Sequence, residues 1–175
     1  HFSDTRYAVW KGVGKFLENI PQGMRICDVG CGNGKNMIGR KENMEGFDTC
    51  EKFIEECKRK ELNVRYGDVC EIPVDDETYD ATICIAVIHH LATIERRIKA
   101  LSELHRITKK GGKILITVWA LEYNREINKK FKLIDDTDPK QSDRIVTWNN
   151  FGKTYERYYH FFTYDEIIRL CDICN

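Results

Sequence analysis

Apolar positions along this chain switch between two spacings, one recurring every three to four residues and one forming short, nearly continuous runs. Val9, Val13, Phe16, Leu17 and Ile20 follow the first spacing and predict a helix with one buried face, weakened by Gly12 and Gly14 and stopped by Pro21-Gln22-Gly23. Residues 25–29 read as a short buried strand, followed by a glycine-rich turn and a short helix around 35–40. Residues 45–48 predict a second strand with Asp48 at its carboxyl end, and Phe53, Ile54 and Cys57 supply the apolar face of the next helix. A third strand covers 64–66 and ends in Gly67-Asp68. Beyond a polar loop with Asp75-Asp76-Glu77, residues 81–87 are almost continuously apolar, as expected of a strand buried on both faces. Ile94, Ile98, Leu101, Leu104 and Ile107 predict an amphipathic helix, with Thr93 as its N-cap, Lys109-Lys110 suited to the negative end of its dipole and Gly111-Gly112 as its stop. A fifth strand covers 113–119. Such alternation requires a mostly parallel sheet with right-handed crossovers and helices on both faces, an α/β fold.

Past 119 the pattern fades. Residues 120–155 are polar and charged without a sustained period, and are expected to form an insertion or lid within one domain spanning 1–175. Tyr158-Tyr159-His160-Phe161-Phe162 is expected to pack, and Thr163-x-x-Glu166 forms a capping box for a last helix carrying Ile167, Ile168, Leu170 and Cys171.

Composition narrows the picture modestly. Lys plus Arg and Asp plus Glu balance at 28 each, so net charge neither favours nor excludes a polyanionic partner. The basic clusters Lys58-Arg59-Lys60, Arg96-Arg97 with Lys99, Lys109-Lys110, and Lys129-Lys130 with Lys132 read first as solvated faces. No apolar run approaches the roughly 20 residues of a membrane span, and no signal peptide is visible. Of eight cysteines, Cys27 and Cys84 fall inside apolar strands and Cys57 on an apolar helix face, where cysteine acts as a small hydrophobe. Cys171-x-x-Cys174 has no second pair or histidine partner, which argues against zinc. A reduced protein of the cytoplasm, and also of the nucleus, is expected. Because the sequence opens on His1 and not on Met, a trimmed front is expected as well.

The chemistry concentrates in Ile26-Cys27-Asp28-Val29-Gly30-Cys31-Gly32-Asn33-Gly34-Lys35. Gly30 and Gly32 permit backbone angles closed to other residues and let the chain approach a ligand closely. A turn of this kind after a parallel strand is where open α/β sheets bind nucleotide-like cofactors. The spacing is G-x-G-x-G, and Lys35 stands where a dinucleotide fingerprint needs its third glycine. Asp28 would put a carboxylate where a pyrophosphate lies, which points to a cofactor with a positively charged end. Asp48, at the end of the second strand, is placed to accept both hydroxyls of a ribose, and Asp68, after the third, to accept from an adenine amine. Ile85-Ala86-Val87-Ile88-His89-His90 ends the fourth strand facing the reactive end of such a cofactor. Two adjacent histidines with no third ligand do not make a metal site, and His90 reads equally as a structural cap.

The D-x-G-x-G-x-G pattern resembles motif I of the class I S-adenosylmethionine methyltransferases. The resemblance implies a Rossmann-like fold binding S-adenosyl-L-methionine through Asp28, Gly30, Gly32, Asn33, Asp48, Asp68, Ala86 and Val87. A narrower resemblance rests on several segments in order. These are His1-Phe2-Ser3-Asp4-Thr5-Arg6-Tyr7, the stretch 28–35, the stretch 85–90 with Thr93 and Glu95-Arg96-Arg97, Val118-Trp119-Ala120-Leu121-Glu122, and Arg157-Tyr158-Tyr159-His160. Together they are similar to the eukaryotic tRNA wobble-uridine carboxyl methyltransferases, of the yeast Trm9 type and the methyltransferase domain of the animal AlkB-homologue 8 proteins. That resemblance implies esterification of the carboxylate of 5-carboxymethyluridine at the tRNA wobble position, with a small Trm112-like zinc-binding activator protein. The strand order 3-2-1-4-5-7-6 usual for class I methyltransferases leaves the third strand at an edge, where the activator is expected to pair with Val64, Arg65 and Tyr66.

A carboxylate acceptor is ionised at neutral pH and needs no strong general base. The enzyme must instead align it and supply a cation. Arg6, from the amino-terminal segment of the family resemblance, is the first expectation; His89, Trp119, Arg157 and His160 are further candidates for the acceptor pocket, the aromatics by stacking on a flipped uracil. Class I sheets end in a β-hairpin, and no such segment follows the last helix here. Two other readings stay open: a methyltransferase for a small acid or quinone, and a cofactor-binding platform without turnover.

Overall fold

A computed structural model describes residues 8–122, 132–134, 137, 142–150 and 153–174. The segment holding Arg6 lies outside the described residues, as does much of the stretch between 123 and 141. The first helix is α1 (Lys11–Glu18), followed by β1 (Ile26–Val29), β2 (Met44–Asp48), α2 (Glu51–Arg59), β3 (Val64–Tyr66), β4 (Tyr79–Ile85), α3 (Ile94–Ile107) and β5 (Thr108–Thr117). Beyond them lie β6 (Lys132–Leu133), β7 (Asp143–Asn150), β8 (Lys153–His160) and α4 (Tyr164–Ile173).

Strands one to five form a parallel sheet in the order β3-β2-β1-β4-β5, as the alternating pattern requires. Successive residues of a strand point to opposite faces, and the core divides accordingly. Ile26, Ala81 and Ile83 join Val13, Leu17, Ile54 and Leu62 on the α1/α2 side. Cys27, Val29 and Cys84 join Leu101, Leu104, Phe162 and Leu170 on the α3/α4 side. Cys27, Cys57 and Cys84 are fully buried, and all eight cysteines are free thiols.

Four local expectations need correction. The helix expected around 35–40 is a chain of turns ending in a 3-10 turn at Ile38–Arg40. Gly34 adopts φ 73°, and Asn36 points inward to the Asp28 carboxylate, so the chain cannot begin a helix there. The strand expected over 81–87 starts earlier, at Tyr79, and stops at Ile85, because Ala86 takes a left-handed φ of 60°. Gly111-Gly112 do not stop α3, which ends at Ile107; they form a bulge inside β5, where the partner of Tyr79 is Thr108 and that of Ala81 is Lys113. A Cβ at Gly112 would lie 2.8 Å from the carbonyl oxygens of Asp80 and Lys109, so only glycine fits the bulge. Lys109 pairs with Asp80 at 2.7 Å instead of facing the helix end.

The fourth correction concerns the stretch expected to be aperiodic. Its described part carries β6 and β7, and β7 pairs antiparallel with β8 over eight residue pairs from Asp143↔His160 to Asn150↔Lys153. An antiparallel hairpin therefore precedes the last helix, in a sheet of its own. It is tied to the parallel sheet where Phe162 N donates to Trp119 O at 2.9 Å and Leu121 N to Phe162 O at 2.8 Å. Both expected caps form: Thr93 Oγ1 accepts from Arg96 N and Thr163 Oγ1 from Glu166 N.

Candidate functional site

A crevice of about 500 Å³ opens at the carboxyl ends of β1, β2 and β4, roofed in part by β8. Its floor is the glycine turn. Gly30 N and Cys31 N both donate to Phe47 O, at 2.7 and 3.0 Å, so the end of β2 straps the turn down. Gly30 adopts φ 74°, and a Cβ there would lie 2.3 Å from Val87 Cγ2; the turn passes directly under the break at Ala86. Gly32 adopts φ 54° with nothing within 4 Å of a would-be Cβ, so its open side faces free space.

Asp48 accepts from Gly32 N and from Cys50 N, each at 2.8 Å, which fixes the carboxylate at the crevice wall with spare lone pairs on both oxygens. Asp68 accepts from Cys70 N at 2.8 Å and from Arg96 at 3.2 Å, so the carboxylate expected at an adenine is already ion-paired. Asn33, Ala86 and Val87 also line the crevice, and Phe53, Val69, Ile85 and Leu91 supply apolar wall. Ala86 N donates to Thr117 O and Oγ1, at 3.1 and 3.0 Å, which holds a backbone geometry costing about 1–3 kcal/mol in a non-glycine residue.

Asp28 does not face the ligand space directly. It is fully buried on the α1/α2 side, with Oδ2 accepting from Asn36 at 3.1 Å and Oδ1 without a hydrogen-bond partner. Burial pushes its pKa up to about 7, against the Asn36 hydrogen bond and the Lys35 ammonium, which favour the charged form, while Asp48 adds repulsion.

The acceptor-side candidates separate into two groups. Arg157 lines the crevice. His89, Trp119 and His160 stand behind its wall. His89 is 1% exposed and stacks on Tyr159 at 5.2 Å between ring centroids, and Trp119 lies 5.3 Å from the same ring. His160 sits between two carboxylates, with Nδ1 2.6 Å from Asp143 and Nε2 2.8 Å from Glu166.

Sequence reasoning missed several residues. Tyr158, Arg96 and Trp10 all line the crevice, along with His90, which the sequence places at the end of the fourth strand; the Lys35 ammonium lies 5.1 Å from the Trp10 ring centre. Arg97, read as solvated, is 5% exposed. It donates to Leu91 O at 3.0 Å, Ala92 O at 3.3 Å and Tyr158 Oη at 2.9 Å, and lies 3.8 Å from Asp143 and 3.9 Å from Glu166. The signal was present: Arg97 lies four residues before Leu101 and seven before Leu104, on the same helix face, whereas Ile94 is 49% exposed. Burial would raise the carboxyls of Asp143 and Glu166, but hydrogen bonds from Tyr158 and His160 to the first, and from His160 to the second, hold both below their ordinary values. Among the described residues no cluster of three or more His, Cys, Asp or Glu could hold a metal ion, and no helix is long and apolar enough to cross a membrane.

Comparison with known proteins agrees with this geometry. A family model described as "Methyltransferase domain" matches residues 27–116. The chain is 45% identical over 150 residues to the tRNA (carboxymethyluridine(34)-5-O)-methyltransferase alkbh8 of Xenopus tropicalis, covering 84% of this chain and 24% of that protein. It thus spans about a quarter of the length of that curated relative. In structure it is similar to an SAM-dependent methyltransferase of Methanosarcina mazei, with a TM-score of 0.79, 15% identity and coverage of 95% of this chain and 84% of that one. It is also similar to a chain from the complex of the Haloferax volcanii Trm112 methyltransferase activator with a methyltransferase, with a TM-score of 0.52, 22% identity and coverage of 59% and 50%. The matched span runs from the strand before the glycine turn to the fifth strand of the parallel sheet, the part of the molecule on which the crevice is built; the chain belongs to the methyltransferase-domain family.

Proposed function

We propose that the crevice binds S-adenosyl-L-methionine and that the chain directs methyl transfer to the carboxylate of 5-carboxymethyluridine at the tRNA wobble position. The residues present fit that cofactor. Gly32 leaves open space at the floor, Asp48 keeps lone pairs for ribose hydroxyls, and the buried Asp28 supports the turn from beneath through Asn36, which lines the crevice. Gly30, Asn33, Ala86 and Val87 shape the turn around it, and Asp68 with Arg96 bounds the base end. When bound, the cofactor supplies an electrophilic methyl group on a sulfonium.

The observation that carries the acceptor assignment is the character of the crevice on the β4 and β8 side. There the described lining offers Arg157 and His90 beside Leu91 and Tyr158, with no carboxylate. An anionic acceptor suits such a wall and a cationic one does not. The acceptor carboxylate is ionised at neutral pH, so these residues need only hold it in line and keep water out, with no base required. Arg157 is the proposed anchor, and Arg6 a second cation from the amino-terminal segment. His89 and Trp119 act through the shape of the wall, and His160 through the carboxylates it joins. The 45% identical Xenopus tropicalis protein, named for this reaction, supports the reading.

A Trm112-like zinc-binding activator is the proposed protein partner, pairing with β3. That strand ends the sheet, and its Tyr66 is 63% exposed. An open strand edge is a template for another chain. The deciding experiment is transfer of labelled methyl from S-adenosyl-L-methionine to tRNA carrying 5-carboxymethyluridine, with and without the activator. Transfer that depends on the activator is expected. Cofactor binding without transfer under either condition would overturn the assignment, and equal transfer to small acids, with no salt-sensitive affinity for tRNA, would move it to a small-molecule acceptor.

A further inference from the structure

The β7–β8 hairpin has two faces of opposite character, sorted by the alternation of side chains along a strand. One face packs inward: Tyr158 and His160 both reach Asp143, and Tyr158 also meets Arg97 of α3. The other face carries Lys153, Tyr155, Arg157 and Tyr159 along β8, a cation and an aromatic ring in turn. Burial deepens down this stripe. Lys153 is exposed, Tyr155 is 43% exposed, Arg157 is half-buried and Tyr159 is buried. Tyr159 stacks on His89 and lies against Trp119, which fixes the direction of the face, and Arg157 lines the crevice. The stripe is therefore a ramp that runs from the outer end of the hairpin, where Asn150 pairs with Lys153, into the crevice wall. Register sets Arg144 opposite Tyr159 and Val146 opposite Arg157. None of these described positions carries a carboxylate, whereas Asp143 and Glu156 fall on the other face.

We propose that this ramp is the docking surface for the single-stranded nucleotides next to the target of methyl transfer. The inference rests on the RNA acceptor reading above. Two residues along a strand advance about 6–7 Å, close to the length of one unstacked nucleotide. With the target carboxylate at Arg157, the adjacent base falls over the Tyr155 ring and the phosphate beyond it falls at Lys153. An aromatic face accepts any base by stacking, and a lysine ammonium takes a phosphate as a point charge. A strip of rings and cations without acids suits a polyanionic strand whose bases offer free faces. A duplex cannot use it, because its bases are stacked on one another, so the surface selects a loop or an unpaired strand.

The contact lies apart from the cofactor. Neither Lys153 nor Tyr155 lines the crevice, so replacing them leaves the glycine turn and Asp48 intact.

The test uses the full chain with the activator protein, S-adenosylhomocysteine, and tRNA carrying 5-carboxymethyluridine. Tyr155→Ala is expected to weaken tRNA binding about tenfold and to raise KM for tRNA with kcat little changed. Its affinity for S-adenosylhomocysteine should match that of the parent. Tyr155→Phe should bind tRNA as the parent does, because the ring remains. Removing one of the two bases that flank the wobble uridine should weaken the parent by a similar factor and cost Tyr155→Ala nothing more. Lys153→Ala should lower the slope of log affinity against log salt by about 0.7, the value for one phosphate of a single strand. Full tRNA affinity in both alanine variants, or equal losses in Tyr155→Phe and Tyr155→Ala, overturns the ramp alone. Should Tyr155→Ala also lose S-adenosylhomocysteine, the parent with the two abasic tRNAs decides, and no effect of either missing base overturns the ramp. If the parent binds no tRNA, the RNA acceptor reading falls, and the ramp with it.

Discussion

Two residues show how strongly the crevice constrains individual positions. Gly30 combines a left-handed φ of 74° with a would-be Cβ 2.3 Å from Val87 Cγ2, so Gly30→Ala must both strain the backbone and displace the wall. A loss of about 1–3 kcal/mol of stability is expected, with loss of cofactor binding, read by thermal melting and calorimetry. Asp28 makes a different prediction. Its pKa rises from 3.8 to about 7 because burial penalises the charge, so the folded chain binds a proton more tightly than the unfolded one. Between pH 4 and 7 the folded state therefore holds more protons, and stability falls as pH rises through that window. The rise from 3.8 to about 7 corresponds to on the order of 4 kcal/mol. Asp28→Asn should flatten the decline in melting temperature between pH 5 and 8; an unchanged slope would mean that another group sets it. The places of Asp48 and the glycine turn at the crevice were legible in the sequence because they follow from position after a strand. The burial of Asp28 was not, because nothing in D-x-G-x-G-x-G reveals that Asn36 will turn back beneath it.

Among the elements, the β7–β8 hairpin supplies Arg157 and Tyr158 to one wall of the crevice, and a buried ionic group fastens it. Arg97 of α3 reaches Tyr158 of β8, Asp143 of β7 and Glu166 of α4, while His90 Nδ1 lies 3.1 Å from Tyr158 O. Arg97→Ala leaves two carboxylates without that cation, and a cost of about 3 kcal/mol is expected. For a chain of this size that means a fall of roughly 6–12 °C in melting temperature. Methyl transfer should fall with it while cofactor affinity stays within about twofold, because Arg97 touches β8 and not the glycine turn. Arg97→Lys should recover only part of the loss, since an ammonium cannot serve the carbonyls of Leu91 and Ala92 and the Tyr158 hydroxyl with one planar fork. The hairpin itself escaped the pattern because β7 is largely polar and its strand character comes from pairing with β8.

For the molecule and its partners, the order β3-β2-β1-β4-β5 leaves β3 at a border, with Arg65 paired to Glu45 at 2.7 Å and Tyr66 pointing out. Tyr66→Glu should abolish the complex with a Trm112-like activator in a pull-down while cofactor affinity is unchanged; a complex that survives would remove β3 as the contact. The order of elements, the parallel sheet and the glycine turn could all be read from contiguous residues, because periodicity, caps and positive-φ glycines are local properties. The remaining features depend on residues brought together from afar. Arg97 meets Tyr158 across 61 positions, His90 meets it across 68, and Cys57 reaches Gly32 across 25. No local pattern encodes such pairs, because burial and long-range packing alone decide which polar groups face each other and which face the crevice.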